Sequence, residues 1–154
     1  MIQRIQSVYL LLVICFSVLT AIFPLAEFIG AADKAIYEMT ASGVYSFKVE
    51  DGMVMNTAGL LVVLLGVTLL AMVELFLYKK RVLQMRLGVF SMLLLGGFYL
   101  VFGFLAFLFK DELKADLHLK FVVGMPLICL ILEYLALRAI GRDEALIRSL
   151  NRLR

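Results

Sequence analysis

The sequence predicts an all-α membrane protein: a four-transmembrane-helix bundle with a small antiparallel β-meander in its first outer loop and an amphipathic C-terminal helix. Three observations predict it. Of 154 residues, 64% are hydrophobic, and the mean hydropathy is +1.02. A soluble domain averages only about 45–50% apolar residues. The charged residues leave long uncharged gaps. The arginines, eight in all, fall on one side of the topology those gaps define. So large an apolar surplus cannot be hidden inside one small sphere, so lipid is the natural solvent.

The elements follow in chain order. A spanning helix needs about 20 mostly apolar residues. Arg4 to Glu27 encloses 22 uncharged residues, Asp51 to Glu74 another 22, and Arg86 to Lys110 a further 23. The fourth run, Phe121 to Leu132, is 12 residues long and reaches 17 if Glu133 is tolerated. These gaps place spans over about 5–26, 57–78, 87–109 and 119–140. Outer loops then cover 27–56 and 110–118. The inner loop is 79–86 and the tail 141–154.

Charge sets the direction. Net charge is only +3, but Lys and Arg divide ten to five between the two sides. Lys and Arg near span ends stay cytoplasmic. Both termini are therefore expected in the cytoplasm of a bacterial cell, with the protein in the inner membrane. A cleavable signal peptide ending near "GAAD" at 30–33 is the competing reading. The first apolar stretch is too long for it.

The first outer loop contains "KAIYEMTASGVYSFKVEDGMVMN". Tyr45, Phe47 and Val49 alternate with Ser46, Lys48 and Glu50, the period of a half-buried strand. Ser42-Gly43 and Asp51-Gly52 mark turns. A meander over 35–41, 43–49 and 53–56 follows, either a lid over the helix ends or a surface for a partner. The second outer loop, "KDELKADLHLK", holds the only histidine, His118. One histidine does not make a metal site, so this loop reads as a solvated helical turn.

Helices in lipid associate through close packing of small residues. Gly88, Gly96, Gly103 and Ala106 fall on one stripe of span three, with Tyr99. Phe98, Phe102 and Phe109 lie largely away from it. Span two carries Gly59 and Gly66. The glycines predict close approach of spans two and three, and Gly96→Leu is expected to destabilise the bundle.

Two carboxylates fall inside spans. Glu74 ends span two and Glu133 lies late in span four, both near the inner end. Intramembrane carboxylates are costly and mark function by default. Near an interface they also snorkel or pair. Gln3, Arg4 and Gln6 come to the same depth, and Arg138 follows Glu133 by about a turn and a half. A structural polar clasp and an ion-coupling site are the two readings. Lys79, Lys80, Arg81, Arg148 and Arg152 are placed to meet anionic headgroups. After Gly141, Leu146, Ile147, Leu150 and Leu153 share one helical face, which predicts a helix lying at the interface. Cys15 and Cys129 form no paired motif and read as small packing residues, not redox thiols.

Both ends carry more specific patterns. "MIQRIQSVYLLL" and "LALRAIGRDEALIRSLNRLR" resemble an uncharacterised bacterial family of small four-span membrane proteins carrying a domain of unknown function. The matching positions are Gln3, Arg4, Gln6, Tyr9, Asp143, Glu144, Arg148, Arg152 and Arg154. The resemblance implies topology and transfers no residue role. The plan is also similar to that of claudins, but the Trp and paired Cys of their first loop are missing. The sequence offers no catalytic constellation, cofactor motif or nucleic-acid patch. It therefore reads as a non-catalytic accessory, scaffold or assembly component with a protein partner or further copies of itself. The alternative is a small oligomeric transporter or channel using Glu74 and Glu133.

Overall fold

The computed structural model describes residues 5–30, 35–46, 52–77 and 80–152, with Leu113 and residues 146–152 described in their backbone alone. The order is α1 (Ile5–Ile22), β1 (Ala26–Gly30), β2 (Ile36–Met39), β3 (Gly43–Ser46), β4 (Met53–Asn56), α2 (Ala58–Phe76), α3 (Arg81–Leu113), β5 (Ala115–Leu119), a 3-10 turn (Phe121–Gly124) and α4 (Met125–Arg152). Among the described residues four helices are long and apolar enough to cross a membrane. The chain is mostly helical, with a small antiparallel sheet.

Each helix buries a stripe spaced by three and four residues. On α1 it is Gln6, Leu10, Val13, Ser17 and Thr20. On α2 it is Leu60, Leu64, Val67, Ala71 and Glu74. On α3 it runs Gln84, Gly88, Ser91, Leu95, Phe98 and Phe102, and on α4 Cys129, Glu133, Ala136 and Ile140. That spacing returns to one helical face and suits near-antiparallel packing. α1 and α3 each pack against α2 and α4, so α1/α3 and α2/α4 are the diagonals of a ring. The strands collect at one end; Ile5 and the α2–α3 connection lie at the other.

Local chemistry sets where each helix stops. Pro24 lacks an N–H and restricts the residue before it, so α1 ends at Ile22 rather than continuing to 26. The expected inner loop 79–86 is largely helix, because nothing in "RVLQMR" breaks one and α3 starts at Arg81. The 33 residues of α3 reach about 50 Å at roughly 1.5 Å per residue, longer than a hydrocarbon core of about 30 Å. Lys114 closes α3 in the left-handed conformation, at φ 44° and ψ 47°. Gly141 does not end α4, which continues as one rod to Arg152. The tail expected to lie apart at an interface is therefore an extension of the fourth helix. Leu146, Ile147, Leu150, Arg148 and Arg152 lie on that rod; their side chains, and all of Leu153, fall outside the described residues.

The sheet has five strands in the order β4-β3-β2-β1-β5, every neighbouring pair antiparallel. The expected meander corresponds to β2, β3 and β4, with residues 47–49 outside the described residues. β1 and β5 are additional. The stretch expected as a helical turn, "ADLHL", is a strand paired with β1 from Gly30↔Ala115 to Ala26↔Leu119. β1 follows directly from α1 and offers it a free edge. Ala26, Phe28, Met39 and Val44 face the helices and join Leu60, Leu64, Phe98, Phe102 and Phe109 in one apolar core. Phe28 meets Phe109 edge-on at a centroid distance of 6.4 Å. Thr57 Oγ1 donates to the Thr40 carbonyl at 2.8 Å and holds the start of α2 to the β2–β3 turn. In β3 Ser46 points inward and Tyr45 outward. Val44 takes the inward position against the helices, and a register shift with β4 falls between Val44 and Tyr45.

The glycine stripe is not the seam between α2 and α3. A Cβ at Gly59, Gly96 or Gly103 meets nothing within 4 Å, and at Gly66 it meets only Leu94 Cδ1 at 3.7 Å. The seam is lined instead by Phe98, Phe102 and Phe109, which are buried. Helices apolar on every face gave the sequence no way to tell the seam from the outside. Gly88 alone is tight, and against α4: a Cβ there falls 2.6 Å from Leu137 Cδ2 and 3.4 Å from Glu133 Oε1.

Two predictions follow from this geometry. Gly88→Ala should cost about 1–3 kcal/mol by overpacking, whereas Gly96→Ala should gain up to about 1 kcal/mol from helix propensity. Thermal unfolding in detergent reads both, and equal effects would contradict the placement. Lys114→Gly should stabilise by about 1 kcal/mol, because glycine carries no left-handed penalty; the same melt checks it.

Candidate functional site

The polar interior is built from the ends of the stripes. Glu74 lies in the last turn of α2 and Glu133 two turns into α4. These helices are diagonal in the ring, so their inward side chains point at each other through its middle. Both carboxyl groups are buried in this interior. Glu133 is 0% exposed, Glu74 1%, Gln84 2% and Ser91 0%. Gln84 Nε2 donates to the Glu74 backbone carbonyl at 3.1 Å. One turn further along α3, Gly88 lets α4 approach closely: a Cβ there would collide with Leu137 and come to 3.4 Å from Glu133 Oε1. Among the described residues, both oxygens of each glutamate, Gln84 Oε1 and Ser91 Oγ have no hydrogen-bond partner. An ionised carboxylate only accepts, so contact between two of them satisfies neither.

Among the described residues, no expected cation partner takes part in this arrangement. Gln3 and Arg4 lie outside the described residues. Arg138 is exposed, facing away from Glu133. Gln6 is buried on α1 and lines a cleft of about 460 Å³ between α1 and α4, with Tyr9, Arg138, Arg142 and Asp143. Neither glutamate lines that cleft. Lys80 is exposed. Arg81, expected on headgroups, turns to α4 instead: it donates to the Asp143 carbonyl at 3.0 Å and pairs with Glu144 at 4.0 Å. Lys79 lies outside the described residues. Gln84 and Ser91 went unrecognised in the sequence. Their signal was the 84–88–91 spacing, hidden by reading 79–86 as a loop.

The remaining polar contacts fasten elements together. Ser17 Oγ and Thr68 Oγ1 are 2.8 Å apart between α1 and α2. Tyr99 donates to the Val123 carbonyl at 2.7 Å. Cys129 Sγ sits 3.7 Å from the Val13 carbonyl; Cys15 is exposed, so it does not serve as a packing residue. No group of three or more His, Cys, Asp or Glu placed to hold a metal occurs among the described residues.

At the other end, Glu38, Glu27 and His118 stand in one cross-strand row. Lys120 Nζ binds both glutamates, Glu38 at 2.8 Å. Its hydrogen bond holds the Glu27 carboxyl below its ordinary 4.5. The bonds to Glu27 and then Glu38 push the Lys120 ammonium above its ordinary 10.5. A lowered acid contributes stability that is complete above its ordinary value and lost as pH falls through the lowered one; a raised base contributes until pH rises through its raised value. The clasp is therefore whole at neutral pH.

These features define a membrane-type four-helix bundle with a sheet closing one end and a carboxyl pair near the other. The chain belongs to the DUF4293 family: the model of this domain of unknown function matches residues 2–153. No curated protein and no solved structure matches it.

Lys120→Met leaves two glutamates directly opposite each other. It should cost about 1 kcal/mol at neutral pH. Acid should then stabilise the variant while it destabilises the parent, a reversal that melts at neutral and acidic pH would reveal.

Proposed function

We propose that this chain is a non-catalytic multi-pass protein of the bacterial inner membrane, serving as an accessory, scaffold or assembly component of a membrane complex. In this reading both termini are cytoplasmic and the sheet faces outward. Lys79, Lys80, Arg148 and Arg152 meet anionic headgroups from the inner side. The observation that carries the reading is how polar contacts are used. Ser17–Thr68, Tyr99–Val123, Arg81–Asp143 and Lys120–Glu27–Glu38 each fasten one element to another. The other helix faces present large apolar residues, such as Leu93, Leu100, Phe104 and Phe107. The same sheet serves as a cap over the helix ends and presents Tyr45, Ile36 and Met53 outward.

One observation favours a second reading, a small oligomeric transporter: Glu74 and Glu133 are both buried inside the bundle, their oxygens without a hydrogen-bond partner among the described residues. The two readings predict different outcomes. Purified in native lipid with crosslinking, a scaffold should bring one partner protein at fixed stoichiometry. A chain recovered only with copies of itself, and moving ions in proteoliposomes, would support transport instead.

A further inference from the structure

The buried, unpartnered oxygens of the bundle collect near one end of it. Gln84, Gly88 and Ser91 are spaced four and three along α3, so they lie on one face within two turns. Gln84 holds the Glu74 backbone, and Gly88 abuts the Glu133 carboxyl. Ser91 lies between that level and the next apolar layer, where Leu95 packs with Cys129, one turn before Glu133 on α4. The described groups around the pair supply no charge to balance it. α1 presents Gln6 and the half-buried Tyr9; α3 presents Gln84 and Ser91; α4 adds Cys129. Arg86, Arg138 and Arg142 are exposed, and Arg81 is committed to Asp143 and Glu144. Two carboxylates confined together without a counter-charge repel strongly in a low-dielectric interior. Six oxygen atoms from four side chains have no donor among the described residues, and oxygen is the ligand type that small hard cations take.

We propose that Glu74, Glu133, Gln84 and Ser91 form an interior site for one monovalent cation, a proton or Na⁺. A proton would be shared between the two carboxyl groups, with Ser91 and Gln84 turned to the remaining oxygens. Na⁺ would sit among the same oxygens with both carboxyls ionised. Either way the cation joins the diagonal helices α2 and α4, which have little other contact. The site holds whether the chain scaffolds a complex or moves ions.

Infrared difference spectra of the full chain in lipid nanodiscs, stepped from about pH 5 to about pH 9, give the proton arm. Melts in Na⁺ against choline at fixed pH give the Na⁺ arm. The expected result is a protonated-carboxyl band that disappears on alkalinisation, or a Na⁺-dependent rise in melting temperature. Whichever arm responds identifies the cation. The response should vanish in Glu74→Gln/Glu133→Gln. Ser91→Ala keeps both carboxyls and covers the case in which the double variant fails to fold. It should shift the pH midpoint, or weaken the Na⁺ dependence, about tenfold through loss of one hydrogen bond to a charged group. A wild-type protein indifferent to both pH and Na⁺ overturns the site. So does a response that survives unchanged in the double amide variant or in Ser91→Ala.

Discussion

Along their spanning stretches the four helices carry apolar residues on outward and inward faces alike, and this constrains everything else in the fold. α3 exposes Leu93, Leu100, Phe104 and Phe107 and buries Leu95, Phe98, Phe102 and Phe109. By hydrophobicity alone the two faces are interchangeable. A helix of this kind in lipid gains little by exchanging one apolar neighbour for another. Shape and polar contact must then decide which face turns inward. The stacked Phe98 and Phe102, 6.1 Å apart, supply shape. Ser17, Thr68, Gln84, Ser91, Glu74 and Glu133 supply polarity, and all six point into the bundle.

Those inward groups are graded along the helix axis. Next to the sheet the core is aromatic and aliphatic. The middle holds small residues, with Ala71 and Cys129 against Val13, Val67 and Leu95. Beyond it come the carboxyl pair, Gln84 and Ser91. Placing this layer on all the stripes forces one register between the helices, because a slide of one turn would set a carboxyl against the apolar layer. Buried polar groups are known to specify register in helical assemblies, at some cost in stability. Arg81 on Asp143 and Glu144 holds the same register from beyond the layer.

The sheet does at the other end what the polar layer does at this one. β1 continues from α1, β4 leads into α2, and β5 joins α3 to α4. Pairing β5 to β1 thus ties both halves of the chain across the helix ends. Phe28 and Met39 extend the helical core upward, and Lys120 fixes the outward face by binding one glutamate from each of two strands. A five-stranded sheet this short needs a packed face to persist, and the helix ends provide it.

Composition and the spacing of charges determined that there are four helices of spanning length, roughly where they lie, and that β2, β3 and β4 form a hairpin-linked sheet. These are local properties, written in runs of residue type and in period-two alternation. Glu74 and Glu133 were also legible as residues of interest, because a carboxylate in an apolar run stands out. The tertiary structure alone decided what they face. That they face one interior depends on α2 and α4 being diagonal, and Gly88, on a third helix, lets α3 and α4 close on it. The strand character of "ADLHL" depended on a free edge of β1 more than 80 positions earlier. The inward face of α3 depended on neighbours, since its own residues do not distinguish inside from outside. Sequence reports the solvent each segment suits; which groups share an interior is set by packing, and packing is not local.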